Sequence, residues 1–285
     1  MSEVHYERHG SGEPLLLLTG FAISPAVFRP VLELYASRFE CILYAHRGGL
    51  VTSMPELAAD AATLLRRLGL DAAHVYGISM GGMVAQELAL RFPERVRGLV
   101  LAATTPGGPR ALPPAAGELA RGRWLFSPEF RREHPERVRE LLRYFELRPS
   151  ALWAHWWATV YHDTVSRLGA IQAPTLVMHG GADALSPVGN ARLLAARIPD
   201  AEVEILPGAG HAFPLERPRE SFERVAEFLD RPIPAGRPRT GAVARAEPLT
   251  RALGLPIGAA RTGASLAGLA AERVLRRSAH VAADR

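Results

Sequence analysis

The sequence predicts an α/β fold in which helices cover both faces of a mostly parallel sheet. Short continuous apolar runs, each closed by turn residues, are typical of strands buried on both faces. These runs alternate with longer stretches whose apolar residues recur at helical spacing, the order expected of a parallel sheet. The 285 residues are 48% apolar and 22% charged. This composition excludes a fibre or a fully disordered chain and suits one large domain.

Six segments are predicted strands, the first four of them as apolar runs, and five stretches are predicted helices. The first strand is closed by a Thr-Gly turn, and the helix that begins at Met80 is stopped by Pro93. The predicted strands cover residues 15–18, 39–45, 74–77, 99–103, 175–179 and 202–206. The predicted helices cover residues 55–68, 80–92, 135–147, 187–198 and 218–229.

The alternation breaks between about residues 106 and 172, a segment that holds all four tryptophans. We predict that this segment, called the insertion below, forms a helical cap over one end of the sheet. Trp153, Trp156 and Trp157 fall at i, i+3 and i+4, which places them on one helix face. They either pack the insertion onto the sheet or line an apolar acyl pocket.

The formal charge is +5, and its distribution argues against a nucleic-acid partner. Residues 231–285 hold ten arginines and three acidic residues, so they carry +7 and residues 1–230 carry −2. The chain contains no lysine, which we interpret as coding bias. We therefore predict a globular domain over 1–230 and a basic Arg-, Ala- and Gly-rich tail over 231–285. The tail is expected to be flexible, with one helix at about 265–282, and contact with a partner or a membrane surface is the alternative.

The sequence also bears on cellular location. The single cysteine, Cys41, lies in an apolar run, so no intrachain disulfide is expected. The first residues are polar and lack the pattern of a secretory signal. No window approaches the ~20 apolar residues that a membrane-spanning helix needs. We expect a cytoplasmic protein without a membrane span.

The sharpest motif is G-x-S-x-G at residues 77–81, directly after an apolar run and directly before a predicted helix. A serine on such a tight turn projects its hydroxyl from the sheet edge, and the flanking glycines make room for the turn. The helix behind it supplies free backbone N–H groups for a developing oxyanion. Ser79 is therefore the candidate nucleophile, and a glycine-rich turn with an incidental serine is the alternative.

A serine nucleophile needs a base, and the base needs an acid that orients it. His211 stands in a turn-rich loop between the last predicted strand and the last helix, from which a base could reach the sheet edge. Asp183 directly follows a strand and is the candidate acid, although it could instead cap the helix that begins near Pro187. The loop after the 99–103 strand has no carboxylate, so the rival position for the acid is empty.

Four motifs in order resemble those of α/β-hydrolase-fold enzymes, in particular enol-lactone hydrolases, esterases and cofactor-free haloperoxidases. They are Leu-Leu-Leu-Leu-Thr-Gly-Phe-Ala, Tyr-Ala-His-Arg-Gly, Gly-Ile-Ser-Met-Gly-Gly and the paired Asp and His loops. The resemblance covers residues 1 to about 230, and the chain order Ser79, Asp183, His211 is that of the family. It implies that these three residues form the catalytic triad, and that the backbone N–H groups of Phe21 and Met80 form the oxyanion hole.

Two positions depart from the family pattern. Thr19 stands where the family usually has a histidine before the glycine of the oxyanion loop. Ala45 stands where the family often has an aspartate, two residues before the arginine of its Arg-Gly motif. A backbone donor survives the first change, so we expect the departures to alter how the loops are supported, not the triad.

Together these observations predict a serine hydrolase that cleaves a small or medium, apolar carboxylic ester, lactone or thioester through an acyl-enzyme. A cofactor-free peroxidase side activity is compatible with the same residues. No cofactor or metal is expected, because the glycine-rich turn lacks a phosphate-loop lysine and His155 and His162 lack a third ligand at metal-like spacing. Those two histidines are expected on a helix surface or in a pocket wall. A non-catalytic accessory protein that docks through its tail is the alternative function.

Overall fold

The computed structural model describes residues 5–112 and 124–232, and its centre is a seven-stranded sheet. The strands are β1 (Tyr6–His9), β2 (Glu13–Leu18), β3 (Phe39–Tyr44), β4 (Ala73–Ile78), β5 (Val96–Ala102), β6 (Thr175–Gly180) and β7 (Glu202–Leu206). Their order in the sheet is β1-β3-β2-β4-β5-β6-β7. β1 pairs antiparallel with β3, and the other five pairings are parallel. The predicted mostly parallel sheet is therefore confirmed.

The helices flank the sheet or lie in the insertion. They are α1 (Arg29–Ala36), α2 (Met54–Arg67), α3 (Met80–Arg91), α4 (Pro128–Glu133), α5 (Pro135–Leu142), α6 (Leu152–Val160), α7 (Gly189–Ala195), α8 (Phe213–Glu216) and α9 (Pro218–Leu229). α4, α5 and α6 lie between β5 and β6 in the chain, which is the region predicted to form the helical cap.

Successive residues of β2 face two different apolar cores. Leu15 and Leu17 pack in the core that contains side chains of α1 and α9. Leu16 and Leu18 pack in the core that contains side chains of α2, α3 and α7. Because side chains alternate along a strand, a strand covered on both faces has no polar position. This double burial explains the continuous apolar run that predicts the strand.

β1, α1, α4 and α8 lie outside the predicted strands and helices. β1 has the sequence Tyr-Glu-Arg-His and is largely exposed, because it is an edge strand whose side chains face solvent. α1 has eight residues, and its buried side chains are Val31, Leu32 and Tyr35.

The predicted helix 135–147 is too long, because α5 ends at Leu142. After that point, the N–H groups of residues 143–145 donate to carbonyls three residues back over 3.0–3.2 Å, as in a tightened last turn. The chain then pairs with the loop after β2, since Ser24 donates to the carbonyl of Glu146 over 2.9 Å and Ile23 bridges to Leu147. The predicted helix 187–198 is likewise shorter, at Gly189–Ala195.

Some predictions fall outside the described residues. These are the tail beyond Pro232, the helix at about 265–282 and part of the insertion, 113–123. Cys41 is buried with a free thiol. In the described part of the chain, no helix combines the length and apolar character needed to cross a membrane.

Candidate active site

Ser79 occupies a one-residue turn between β4 and α3. β4 ends at Ile78 and α3 begins at Met80, and Ser79 has a φ of 57°. This left-handed conformation is costly for a residue with a Cβ atom, and such strain is common at active sites. The Ser79 N–H donates to the carbonyl of Ala102 on β5 over 2.9 Å. The neighbouring strand therefore holds the strained turn in place.

Two glycines around Ser79 are required by close backbone packing. A Cβ atom on Gly77 would lie 2.4 Å from the carbonyl oxygen of Gly81. A Cβ atom on Gly81 would lie 2.1 Å from the carbonyl oxygen of Leu18. No side chain fits at these distances, so the two glycines let α3 begin directly against β2.

Asp183 and His211 are in contact on loops that follow β6 and β7. Oδ2 of Asp183 lies 2.8 Å from Nδ1 of His211. Oδ1 of Asp183 accepts hydrogen bonds from the N–H groups of Leu185 and Ser186, over 2.9 and 2.8 Å. One oxygen thus orders the turn that leads to α7 while the other faces the imidazole. Asp183 does not cap α7, because the N-cap residue of that helix is Val188, which has no side-chain cap bond.

A second histidine contacts the same carboxylate. His179 is buried in β6, and its Nε2 lies 2.6 Å from the carbonyl oxygen of Ser186 and 3.2 Å from Oδ2 of Asp183. Burial alone would raise the pKa of Asp183, but nearby His211 and the hydrogen bonds from both histidines outweigh it and bring that pKa to about 2. The carboxyl is therefore ionised at neutral pH. His179 is not among the predicted site residues, and its place four residues before Asp183 is the signal that could identify it.

The three predicted triad residues lie at one edge of the sheet. They follow β4, β6 and β7, which run parallel, and the carboxyl ends of parallel strands form the usual binding edge of an α/β sheet. The structure joins Asp183 to His211 directly. A hydrogen bond between Ser79 and His211 is not among the contacts of the described residues. The triad as a working unit therefore stays a prediction.

The two predicted oxyanion donors flank Ser79. Met80 is the first residue of α3, so its N–H is one of the unpaired donors of a helix N-terminus. Phe21 lies in the loop after β2, and a Cβ atom on the preceding Gly20 would lie 3.9 Å from Oγ of Ser79. The loop therefore passes beside the serine hydroxyl. The function of the two N–H groups stays a prediction.

Each of the two departures from the family pattern is accompanied by other local contacts. The hydroxyl of Thr19 donates to the carbonyl of Ile23 over 3.2 Å, which closes the loop after β2 onto itself. The N–H of Ala45 donates to the carbonyl of His5 over 3.1 Å, which continues the pairing of β3 with β1. Both loops are supported without the side chains that are usual in the family.

The three tryptophans of α6 form an aromatic row. The rings of Trp153 and Trp156 meet edge to face, as do those of Trp156 and Trp157. Trp153 is 62% exposed. The core side of α6 is instead made by Ala154, His155, Ala158 and Val160. The packing of the insertion onto the sheet therefore relies on these smaller side chains, and the pocket function of the tryptophans stays a prediction.

His155 and His162 of the insertion are buried, so a helix-surface location is wrong for both. Burial lowers the pKa of His162 to about 4, and Glu87 and Arg167 lie nearby with opposing effects. Both ring nitrogens of His162 lack a hydrogen-bond partner among the described residues. Within residues 5–112 and 124–232, no three His, Cys, Asp or Glu side chains are arranged to hold a metal ion.

A family model described as the alpha/beta hydrolase family matches residues 15–225. The chain belongs to this family. A strand–serine–helix turn at residues 77–81 and an Asp–His contact in the expected chain order agree with that membership. The predicted fold class is confirmed.

Named relatives are similar over most of the domain. "Putative carbamate hydrolase RutD" of Azorhizobium caulinodans is 32% identical over 258 residues, covering 80% of this chain and 95% of that protein. The pimeloyl-[acyl-carrier protein] methyl ester esterase of Chromobacterium violaceum is 30% identical, covering 79% of this chain and 97% of the other. A solved structure of Est816, described as an N-acyl homoserine lactone degrading enzyme, is 29% identical with a TM-score of 0.69, covering 79% of this chain and 96% of that chain. The prediction of an enzyme from a hydrolase family that acts on ester bonds is confirmed.

Proposed function

We propose that this protein is a serine hydrolase that cleaves small or medium apolar carboxylic esters, lactones or thioesters through an acyl-enzyme. The observation that carries the proposal is the 2.8 Å contact between Asp183 and His211 at the sheet edge where Ser79 occupies its strained turn. A left-handed serine between a strand and a helix is the arrangement that exposes a nucleophile at this edge.

In the proposed reaction, Nε2 of His211 accepts the hydroxyl proton of Ser79 as Oγ attacks the carbonyl carbon of the substrate. The N–H groups of Phe21 and Met80 donate to the oxyanion of the tetrahedral intermediate. His211 then protonates the leaving group, and the acyl-enzyme forms. A water molecule, deprotonated by His211, releases the acid and restores Ser79.

Asp183 orients the base in this scheme. Its Oδ2 faces Nδ1 of His211, so Nδ1 carries the proton and Nε2 is free to accept one. The low pKa of Asp183 keeps it negative throughout the cycle, where it stabilises the imidazolium that forms. Two backbone N–H bonds on Oδ1 prevent the carboxylate from rotating away.

The substrate class follows from the relatives and from the aromatic row. The names of the relatives refer to a methyl ester, a carbamate and a lactone, which share an acyl or carbamoyl carbonyl with an oxygen or nitrogen leaving group. We propose that Trp156 and Trp157, which are half-buried on α6, form one wall of the acyl site. Trp153, with its greater exposure, belongs to the mouth of that site.

Covalent labelling by a fluorophosphonate tests the proposal. The full-length protein is incubated with the probe, and the labelled residue is located by peptide mass spectrometry. We expect label on Ser79 and none in Ser79→Ala. Ser221→Ala is the matched control, because Ser221 is buried on α9 and its hydroxyl has no partner among the described residues.

Hydrolysis rates for p-nitrophenyl esters of increasing acyl length, and for an acyl homoserine lactone, then define the substrate range. An optimum at short or medium chains is expected from an apolar site of limited size. A correctly folded protein that neither takes the label nor hydrolyses these substrates would instead support the accessory-protein alternative. Docking by the tail and the cytoplasmic location stay predictions.

A further inference from the structure

His155 connects two loops that are distant from it in the chain. Its Nδ1 accepts the N–H of Ala22 over 2.9 Å, and its Nε2 lies 2.9 Å from the carbonyl oxygen of Arg47. Ala22 follows the predicted oxyanion donor Phe21, and Arg47 lies in the loop after β3. The side chain, which is 1% exposed on α6, thus links the insertion to both loops at the site edge.

The chemistry of the two contacts fixes the state of the ring. A backbone N–H can only donate and a carbonyl can only accept, so Nδ1 carries no proton and Nε2 carries one. Only the neutral imidazole can make both bonds. Burial lowers the pKa of His155 to about 4, so the neutral form is present at neutral pH.

The loop after β2 needs such support because its backbone is strained. Ala22 has a φ of 51°, which is unfavourable for a residue with a Cβ atom. Its carbonyl accepts the N–H of Arg148 over 2.8 Å, so both backbone polar groups of Ala22 are bonded to the insertion. The Phe21 ring also meets the His155 ring edge to face, with centroids 6.2 Å apart.

We propose that His155 is a positioning residue that holds the oxyanion loop from the side of the insertion. Its bond to the Ala22 N–H fixes the peptide plane next to Phe21 and so directs the Phe21 N–H toward the oxyanion. The Thr19 hydroxyl, at the position of the histidine usual in the family, donates to the Ile23 carbonyl over 3.2 Å. His155 supplies an imidazole that bonds this loop from the insertion. The inference rests on the proposed function, because it assigns a task within the same site.

Three substitutions at His155 separate the hydrogen bond from general packing. In His155→Asn, Oδ1 occupies the position of Nδ1 and can accept the Ala22 N–H. In His155→Gln, the terminal amide reaches the position of Nε2 and can donate to Arg47, but Ala22 loses its acceptor. In His155→Phe, the ring shape is retained and both bonds are lost.

We expect His155→Asn to keep kcat/KM for a p-nitrophenyl ester within about threefold of wild type. We expect His155→Gln and His155→Phe to lose about 10- to 100-fold, the effect of a misplaced transition-state group. Inhibition by an alkyl trifluoromethyl ketone gives a second readout. Ser79 adds to its carbonyl and its proton passes to His211, so the adduct carries an oxyanion. Affinity for the ketone should fall in parallel with kcat/KM, whereas inhibition by the product acid should not.

His74 provides the matched control, because it is a buried histidine at the amino end of β4, opposite the site edge. His74→Asn and His74→Gln should leave the ketone affinity unchanged, and the melting temperature of each variant shows whether it folds. Equal activities in His155→Asn and His155→Gln, or losses that follow the melting temperature alone, would overturn the inference. A wild type that is inactive and takes no label would instead contradict the proposed serine hydrolase function, whatever the His155 variants show.

Discussion

The hydroxyl of Thr104 donates a hydrogen bond to the carbonyl oxygen of Ser79 over 2.7 Å. Thr104 is buried just after β5. A Cβ atom on Gly82 would lie 2.5 Å from the Cβ atom of Thr104, so the glycine leaves room for the threonine side chain. The same Ser79 carbonyl also accepts the N–H of Gly82 over 3.0 Å. The strained serine is therefore held by the neighbouring strand on both its N–H and its carbonyl side.

Replacing Thr104 should lower catalytic efficiency and should have only a small effect on the stability of the fold. Thr104→Val removes the hydroxyl and keeps the shape, so we expect a loss of about 1 kcal/mol in the free energy of unfolding. kcat/KM should fall about 3- to 10-fold, because a small displacement of the Ser79 hydroxyl from its reactive position slows its attack on the substrate. Thr104→Ser retains the donor and is the control. A valine variant with wild-type kcat/KM would show that the Gly82 bond alone fixes the turn.

Asp183→Asn should lower kcat by about 10³- to 10⁴-fold, the scale known for amide replacement of a triad acid. The amide oxygen can still accept from Leu185 and Ser186, so the –NH₂ group would face His211 and select the wrong tautomer. The kcat for a p-nitrophenyl ester and the rate of fluorophosphonate labelling measure the effect. A loss below 10-fold would mean that His211 does not depend on Asp183 for its orientation.

Stability should fall as the pH drops from about 6.5 toward about 4. Burial lowers the pKa of His162 from 6.5 to about 4, so in this window the unfolded chain binds a proton that the folded chain does not. The unfolding free energy therefore decreases on acidification, by up to about 1.4 kcal/mol per pH unit for each such histidine. His46 and His155, whose pKa values burial also lowers, act in the same direction.

Denaturant unfolding at pH 7, 6, 5 and 4.5 measures this slope. His162→Gln should flatten it, because the variant has no proton to bind there in the unfolded chain. His134→Gln is the control, since His134 is exposed on the insertion. An equal slope in wild type and His162→Gln would contradict the prediction.

The insertion is tied to α3 by an ion pair whose carboxylate is buried and whose guanidinium is about one third exposed. Glu87 is buried on α3 and accepts hydrogen bonds from Arg91 over 2.9 Å and from Arg167 over 3.0 Å. Arg91 still pairs with the buried carboxylate in Arg167→Met, so the variant should lose about 2 kcal/mol of unfolding free energy, the scale of a hydrogen bond to a charged group. Arg132→Met, which breaks an exposed pair with Glu133, should change it by less than about 1 kcal/mol. Similar losses in the two variants would contradict the assignment.

The sequence predicts the site best where the determinants are local. The glycines around Ser79 and the loops that hold Asp183 and His211 are each recognisable within a few residues. His155 could not be predicted in this way, because its partners are backbone groups of Ala22 and Arg47, 133 and 108 positions away. Backbone groups leave no side-chain pattern, so only the folded chain shows this contact.

The secondary structure shows the same contrast between local determinants, which the sequence reveals, and contacts that are distant in the chain. The central parallel strands β2 to β6 are visible as apolar runs, since each is covered on both faces. The early end of α5 is not visible, because residues 146–147 leave the helix to pair with residues 23–24. An exposed edge strand such as β1 also lacks a hydrophobic signal. Local pattern predicts elements, and long-range pairing decides where they stop.

The contacts of residues 146–155 with the loops after β2 and β3 limit how this protein can be recombined with its relatives. Exchanging the whole insertion to change substrate range would also remove the bonds that shape the backbone beside Phe21. A graft restricted to residues 124–145 leaves those bonds intact. The interchangeable unit is therefore smaller than the insertion, and selection on Arg148 and His155 is expected to follow the catalytic edge.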